Sequence, residues 1–298
     1  MRENVPTPST AAGADVAGPT TAAIEEAIAA FLASPANALS GGLGPAWGTA
    51  LVGYSRGDDP LYLEYKGVVG PFHLTPAEIF ALTFPDLAGA PSELSLISWV
   101  LPQTAEARAA NARARRYPAE RWARSKHEGE QVNVALRRHV EQVLAAAGVA
   151  AVAPVSSPHF SVQRYPTQGW ASTWSERHAA YAAGLGTFGL SDGLITPVGK
   201  AMRCGSVVAR LSLPASLRPY TDRHAYCLHF SEGTCGGCVR RCPVGAITLA
   251  GHDKDRCSAS LEHLSAHHVR PRFGFATTVC GLSQTGVPCE AGIPIRVP

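Results

Sequence analysis

Several features are scarce or missing in this sequence, and each absence narrows the reading. There is no run of about 18 apolar residues, so no transmembrane helix is expected. Met1 to Thr21 has neither the charged-then-apolar layout of a signal peptide nor a twin arginine. Its Ala, Thr, Pro and Gly content reads as a disordered leader over residues 1–21, and a cytoplasmic location is expected. Charge is sparse: charged residues make up 16% and the formal net charge is +3, too small by itself to point to nucleic acid. The dinucleotide fingerprint is also missing. Gly184-Leu-Gly-Thr-Phe-Gly189 is rich in glycine, but it follows a helical pattern and not a strand. No internal repeat is visible.

What is present is cysteine, concentrated near one end. Of 8 cysteines, all but Cys204 fall between Cys227 and Cys289. In a secreted domain such a density would suggest disulfides. Here the spacing points to metal thiolates. Cys235-Gly-Gly-Cys238-Val-Arg-Arg-Cys242-Pro243 matches the tail of a bacterial ferredoxin motif, whose last cysteine crosses to a second cube. The glycines let successive thiolates converge without Cβ clashes. Zinc is the rival reading, although a zinc site rarely has proline directly after such a cysteine. The position three before Cys235 is Glu232, so the missing thiolate must come from elsewhere.

The crossing rule distributes the ligands. Cys227, Cys235 and Cys238 hold the first cube, with Cys289 crossing back to it. Cys242 crosses to the second, which Cys257, Cys280 and position 283 complete. Position 283 is Ser283. It binds iron as an alkoxide, or leaves one iron open or lost as a 3Fe–4S cluster, or the second cube is absent. Cys204 reads as a buried small hydrophobe.

Upstream, strand and helix signals alternate to about residue 215, as in an α/β domain with a central sheet. Helices are expected from Thr21, from Thr75-Pro76, across residues 104–148 with a break near Pro118, and from Ser175 to Ala183. Strands are expected at 50–54 and 61–65, joined as a hairpin, and at 94–101, 149–155, 194–197 and 206–213. Residues 156–174 read as an irregular stretch. Its His159, Phe160, Tyr165, Trp170 and Trp174 are either core or the lining of a pocket for a flat ligand. The arginines of residues 108–138 are either a solvated face or an anion site. The division is placed near residue 217: an α/β cofactor and substrate domain over 22–217, and an iron–sulfur domain over 218–298.

Read together, Ser175-Glu-Arg-His-Ala-Ala-Tyr-Ala-Ala-Gly-Leu-Gly186-Thr-Phe-Gly189, Gly193-Leu-Ile-Thr-Pro197, Gly205-Ser-Val-Val208, Cys235 to Ile247 and Asp255-Arg-Cys257 resemble epoxyqueuosine reductase and, more distantly, the reductive dehalogenases. The likeness covers roughly residues 90 to 295. It implies a nitroreductase-like, cobalamin-binding α/β sandwich joined to a C-terminal ferredoxin-like module with two clusters. It implies an oxidoreductase that passes electrons through two 4Fe–4S clusters, the second alternatively a 3Fe–4S or serine-ligated centre, to cobalamin, which reduces a small molecule. Gly184, Leu185, Gly186, Gly205 and Ser206 would face the corrin. Glu176, His178 and Tyr181 are the candidate proton sources. An external donor such as ferredoxin or flavodoxin would supply electrons, and no membrane is involved. The chain departs from the family where its general acid is expected, near Trp170, in a stretch without a carboxylate. It also ends soon after Cys289, without the helical-repeat tail of the tRNA-acting enzyme. Both weigh against tRNA as substrate. The alternative is a corrin-free iron–sulfur electron-transfer protein, or a flavin-using reductase.

Overall fold

The computed structural model describes residues 18–87, 89–166 and 169–294. Most of the leader expected at 1–21 lies outside the described residues. The first helix, α1 (Thr21–Ala33), starts where the Thr20 hydroxyl accepts the Ala23 N–H, and it buries Ile24 and Ile28. Then follow β1 (Leu51–Arg56), α2 (Leu61–Val68), α3 (Pro76–Thr83), β2 (Ser95–Pro102), α4 (Ala105–Arg113) and the long α5 (Glu120–Ala146). α3 opens with a full capping box: the Thr75 hydroxyl accepts the Glu78 N–H, and the Glu78 carboxylate accepts the Thr75 N–H.

The chain continues through β3 (Ala151–Val152), β4 (Val162–Tyr165), β5 (Gly169–Ser172), α6 (Glu176–Ala182), β6 (Thr187–Phe188), β7 (Leu194–Ile195) and β8 (Met202–Ala209). Past residue 209 come α7 (Leu228–Glu232), α8 (Gly237–Arg241), β9 (Ile247–Thr248), β10 (Gly251–His252), α9 (Lys254–Leu264), a π-helical turn at Ser265–Val269 and α10 (Arg270–Phe273). Among the described residues, no helix is long and apolar enough to cross a membrane.

The protein is mixed α/β. Four strands form an antiparallel sheet in the order β1-β2-β8-β3. Every residue of β2 is buried, because helices cover both faces of the sheet. Ile97, Trp99 and Leu101 pack toward α1 and α5, whereas Leu96 and Val100 pack toward α2, α3 and α6. The pleat sends alternate side chains to opposite cores, so β2 reads as a continuous apolar run.

Three expectations change. Residues 61–65 form helix α2 and not a strand, so there is no hairpin at 56–60. The Asp59 carboxylate accepts the Leu61 N–H at 3.1 Å, Tyr62 and Tyr65 are buried three residues apart, and Leu63 between them is 67% exposed. A short run with that spacing does not separate the two periods. The strand expected at 149–155 shrinks to two residues, because Pro154 has no N–H and opens a 3-10 turn. Residues 156–174 are not wholly irregular: β4 and β5 pair as a hairpin, with Val162 opposite Ser172 and Arg164 opposite Trp170. Two small cores join residues from both sides of position 217. One holds Leu190, Ile195, Cys227 and Cys238, and the other holds Trp122, Ala201, Val269 and Val279.

Candidate functional site

The cysteines fall into two groups at the two ends of α8. Cys227 is the N-cap of α7, and Gly233 closes that helix in a left-handed conformation, which turns the chain back toward Cys235. Cys238 sits in α8. Together with Cys289, these three thiols line one narrow pocket, beside Leu190 and Lys200. Cys289 is brought in by backbone pairing: the Lys200 N–H donates to the Cys289 carbonyl at 2.9 Å, and the Ala201 N–H donates to that of Glu290 at 3.2 Å.

Cys242 is the C-cap of α8 and faces the other way, its sulfur accepting the Ala246 N–H at 3.2 Å. With Cys257 of α9, Cys280 and Ser283 it lines a second pocket of about 250 Å³. Two residues hold the loop that carries Cys280 and Ser283. Asn111 of α4 donates to the Cys280 carbonyl at 3.3 Å and to the Thr285 hydroxyl at 3.0 Å. The Arg241 guanidinium donates to the carbonyls of Asn111, Ala114, Leu282 and Thr285, all within 3.1 Å. Arg177, Arg203, Lys126 and His252 face the same pocket. All eight cysteines are free thiols. Among the described residues, no three His, Cys, Asp or Glu side chains stand close enough to hold one metal ion. The thiols surround spaces and do not converge on points. Cys204 stands apart on β8, and burial pushes its thiol up to about 12.

A cavity of about 730 Å³ lies between α2, α6, the β4–β5 hairpin and the turn after β6. That volume is in the usual range for a small-molecule or cofactor site. Trp170, Phe188, Tyr65 and Tyr181 give it aromatic walls, and its charged lining mixes Arg177, Arg223 and Lys254 with the carboxylates of Glu64 and Asp192. The turn is shared: Gly189 and Leu190 line both this cavity and the first thiol pocket, while Arg177 lines both this cavity and the second. A single short segment and one arginine therefore separate the cavity from both groups of cysteines.

Of the three candidate proton sources, two line this cavity. Tyr181 does, and burial raises its phenol above the ordinary value, so it keeps its proton at neutral pH. His178 does too, with its Nδ1 2.8 Å from the Ser175 hydroxyl. Burial first, and then the neighbouring His73 and Arg177, push its imidazole well below its usual range, so it is neutral at pH 7. Ser175 faces His178 and makes no side-chain cap to α6. Glu176 points elsewhere. It accepts the Ser206 hydroxyl and lies 3.2 Å from Arg137 Nη2, in a buried cluster that also contains Glu130.

None of Gly184, Leu185, Gly186, Gly205 and Ser206 lines the cavity. Gly184 ends α6 at φ +79° with its Cα against the Leu217 carbonyl, and Gly186 abuts the carbonyl of Ile195. Gly205 lies opposite Trp99 in the sheet, where a Cβ would come within 2.5 Å of the indole. Leu185 is core, and the Ser206 hydroxyl accepts the Trp174 indole N–H at 3.1 Å. Of the aromatic stretch, Trp170 lines the cavity and Trp174 is core. Of the arginines on α5, Arg124 pairs with Glu120 and Glu128 at the surface, and Arg137 is buried. Residue spacing carried no sign of Arg177 as the shared wall or of Tyr65 in the cavity. Tyr65 was hidden by its misread strand, and Arg177 by its place between two better candidates.

Comparison with protein-family models and with curated proteins finds no match. Among solved structures, the chain is similar to epoxyqueuosine reductase and to reductive dehalogenases. It is 17% identical to epoxyqueuosine reductase from Bacillus subtilis, with a TM-score of 0.44, over 82% of this chain and 62% of that one. It is 14% identical to a reductive dehalogenase described with a B12-dependent mechanism, with a TM-score of 0.47, over 82% of this chain and 30% of that one. For a catabolic reductive dehalogenase in complex with 3-bromo-4-hydroxybenzoic acid the identity is 12% and the TM-score 0.47, over 92% of this chain and 37% of that one. The chain thus spans less than two thirds of the length of each of these structures.

Proposed function

We propose that the protein is an iron–sulfur oxidoreductase whose two clusters serve a cofactor and a small-molecule substrate in the large cavity. One observation carries the reading: seven cysteines sort into two groups around two pockets, and both pockets share a wall with the cavity. Four thiols in the first group match the full ligand set of a cube. Three thiols and Ser283 in the second suit a cube with one non-thiolate ligand, or a 3Fe–4S centre.

Cobalamin is the cofactor that the sequence resemblance implies, and when bound it would supply a metal centre able to accept electrons and act on the substrate. The aromatic walls and the mixed charged groups of the cavity suit a large flat group with polar side arms. Trp170 and Phe188 would meet its faces, and Arg223 and Lys254 its amides or phosphate. Tyr181 holds a proton at the cavity wall, and His178, kept neutral and tied to Ser175, orients beside it. The packing of Gly184, Gly186 and Gly205 away from the cavity favours a second reading, in which no corrin is bound and the clusters serve a flavin or a partner enzyme.

Anaerobic purification, cobalt and flavin analysis, and absorption spectra with added cob(II)alamin separate these readings. A corrin spectrum that shifts on addition of protein, and is abolished by Trp170→Ala, supports cobalamin. An unchanged spectrum removes it, and flavin released on denaturation selects the flavin reading.

A further inference from the structure

The loop between α4 and α5 carries Arg113, Arg115, Arg116 and Tyr117, all exposed. The Tyr117 ring stacks on His268 at 4.2 Å, and the Arg116 guanidinium lies 5.4 Å from the Tyr117 ring centre. Arg272, exposed on α10, lies one helical turn beyond His268 and close enough to act on its charge. Arg116 and Arg272 therefore flank one stacked aromatic pair, and Arg113 at the end of α4 and Arg115 lie exposed on the same short segment as Arg116. None of the four makes an ion pair among the described residues. Glu120 beside them is committed to Arg124, and Glu262 on α9 is the exposed acid nearest to His268 along the chain.

This surface is fastened to the second group of cysteines. Arg241 holds the carbonyls of Asn111 and Ala114 on one side and of Leu282 and Thr285 on the other, and Asn111 holds Cys280. The arginine-bearing loop is thus the outer cover of the Cys280–Ser283 segment, on a face that contributes nothing to the large cavity. Resting on the proposed oxidoreductase function, we infer that Arg113, Arg115, Arg116, Arg272 and Tyr117 form the docking surface for an acidic electron-transfer protein that reduces the second centre. The chemistry is a single-electron step. One electron leaves the reduced cluster of the donor and enters the second centre, and no bond is made or broken. Arginine and tyrosine are the residue types enriched at protein interfaces, and unpaired surface arginines steer an acidic partner. An RNA would also meet this charge, but a reacting nucleotide would need the cavity, whose lining includes none of these residues.

The test is stopped-flow reduction of the iron-loaded protein by a reduced plant-type ferredoxin, with dithionite as a reductant that needs no docking. The second-order rate should fall by about tenfold or more as salt rises from about 0.01 M to about 1 M, over which the screening length drops from about 30 Å to about 3 Å. The triple substitution Arg113→Glu, Arg115→Glu, Arg116→Glu should slow it about tenfold at low salt and flatten the salt dependence, with iron content and dithionite reduction unchanged. A rate that is independent of salt and equal in the variant overturns the docking surface while leaving the oxidoreductase in place. So does an RNA stem–loop that binds the wild type, is lost in the variant and leaves ferredoxin reduction intact. If dithionite reduces no iron centre, the underlying function falls as well. The salt dependence of the wild type decides the question even if the triple variant loses its iron.

Discussion

Replacing Arg137 with methionine is the most informative single perturbation of the scaffold. Arg137 is 1% exposed and sits 3.2 Å from carboxylate oxygens of both Glu130 and Glu176. Methionine keeps the apolar stem and removes the charge, which leaves Glu176 buried with only the Ser206 hydroxyl as partner. Removing one partner of a buried pair costs about 3–5 kcal/mol, because the other charge stays uncompensated. At about 2 °C per kcal/mol for a chain of this size, the apparent Tm should fall by about 6–10 °C. The pH dependence gives a second reading. Burial already raises the Glu176 carboxyl above its ordinary value, against the opposing pull of Arg137 and Ser206. In the variant that opposition weakens and the folded value rises further. A group raised in the folded state contributes stability that is fully present below its unfolded value and is lost as pH rises through the folded one. The deficit of Arg137→Met should therefore shrink on acidification and grow toward neutral pH. Adding Glu176→Gln should restore most of the loss at neutral pH and abolish its pH dependence. Anaerobic thermal unfolding of the wild type, Arg137→Met and the double variant at matched iron content measures all of this. A loss below about 1 kcal/mol for Arg137→Met, or no rescue by Glu176→Gln, would refute the description of this cluster as a desolvated ion pair.

Cys204→Ala should leave iron content unchanged, because that thiol belongs to neither group; loss of iron on chemical assay would make it a ligand. Ser283→Cys should alter the electron paramagnetic resonance signal of one centre only, since Cys227, Cys235, Cys238 and Cys289 line the other pocket; changes in both signals would mean that the two groups share a cluster. Gly205→Ala should destabilise the protein by about 1–3 kcal/mol through the collision with Trp99, without a selective loss of cofactor affinity. A denaturant midpoint equal to wild type, with cofactor binding lost, would return Gly205 to the binding site.

The signals that could be read from the sequence were local ones. The Thr75-Pro76-Ala77-Glu78 cap, the break of the helical block near Pro118 and the apolar run of β2 each follow from chemistry within a few residues. The ferredoxin spacing likewise places Cys235, Cys238 and Cys242 on and beside one short helix. Failure came where meaning depended on a partner far along the chain. Gly205 looked like a floor for a flat ligand, and it is the space into which the Trp99 indole fits. Helical spacing already set Glu176 apart from His178 and Tyr181, but its partners Arg137 and Ser206, 39 and 30 residues away, could not be read from it. Residues 61–65 carried apolar side chains at a spacing shared by both periods, and they fold as a helix behind Pro60, in a turn braced by the Asp59 carboxylate.

Iron and zinc analysis of anaerobically purified protein, combined with quantitative electron paramagnetic resonance before and after dithionite reduction, tests the two-cluster reading most directly. The arrangement of thiols predicts about eight irons per chain, or about seven if Ser283 leaves a 3Fe–4S centre, in two distinct signals. About four irons in one signal would remove the second cluster, and stoichiometric zinc without iron would contradict the reading altogether.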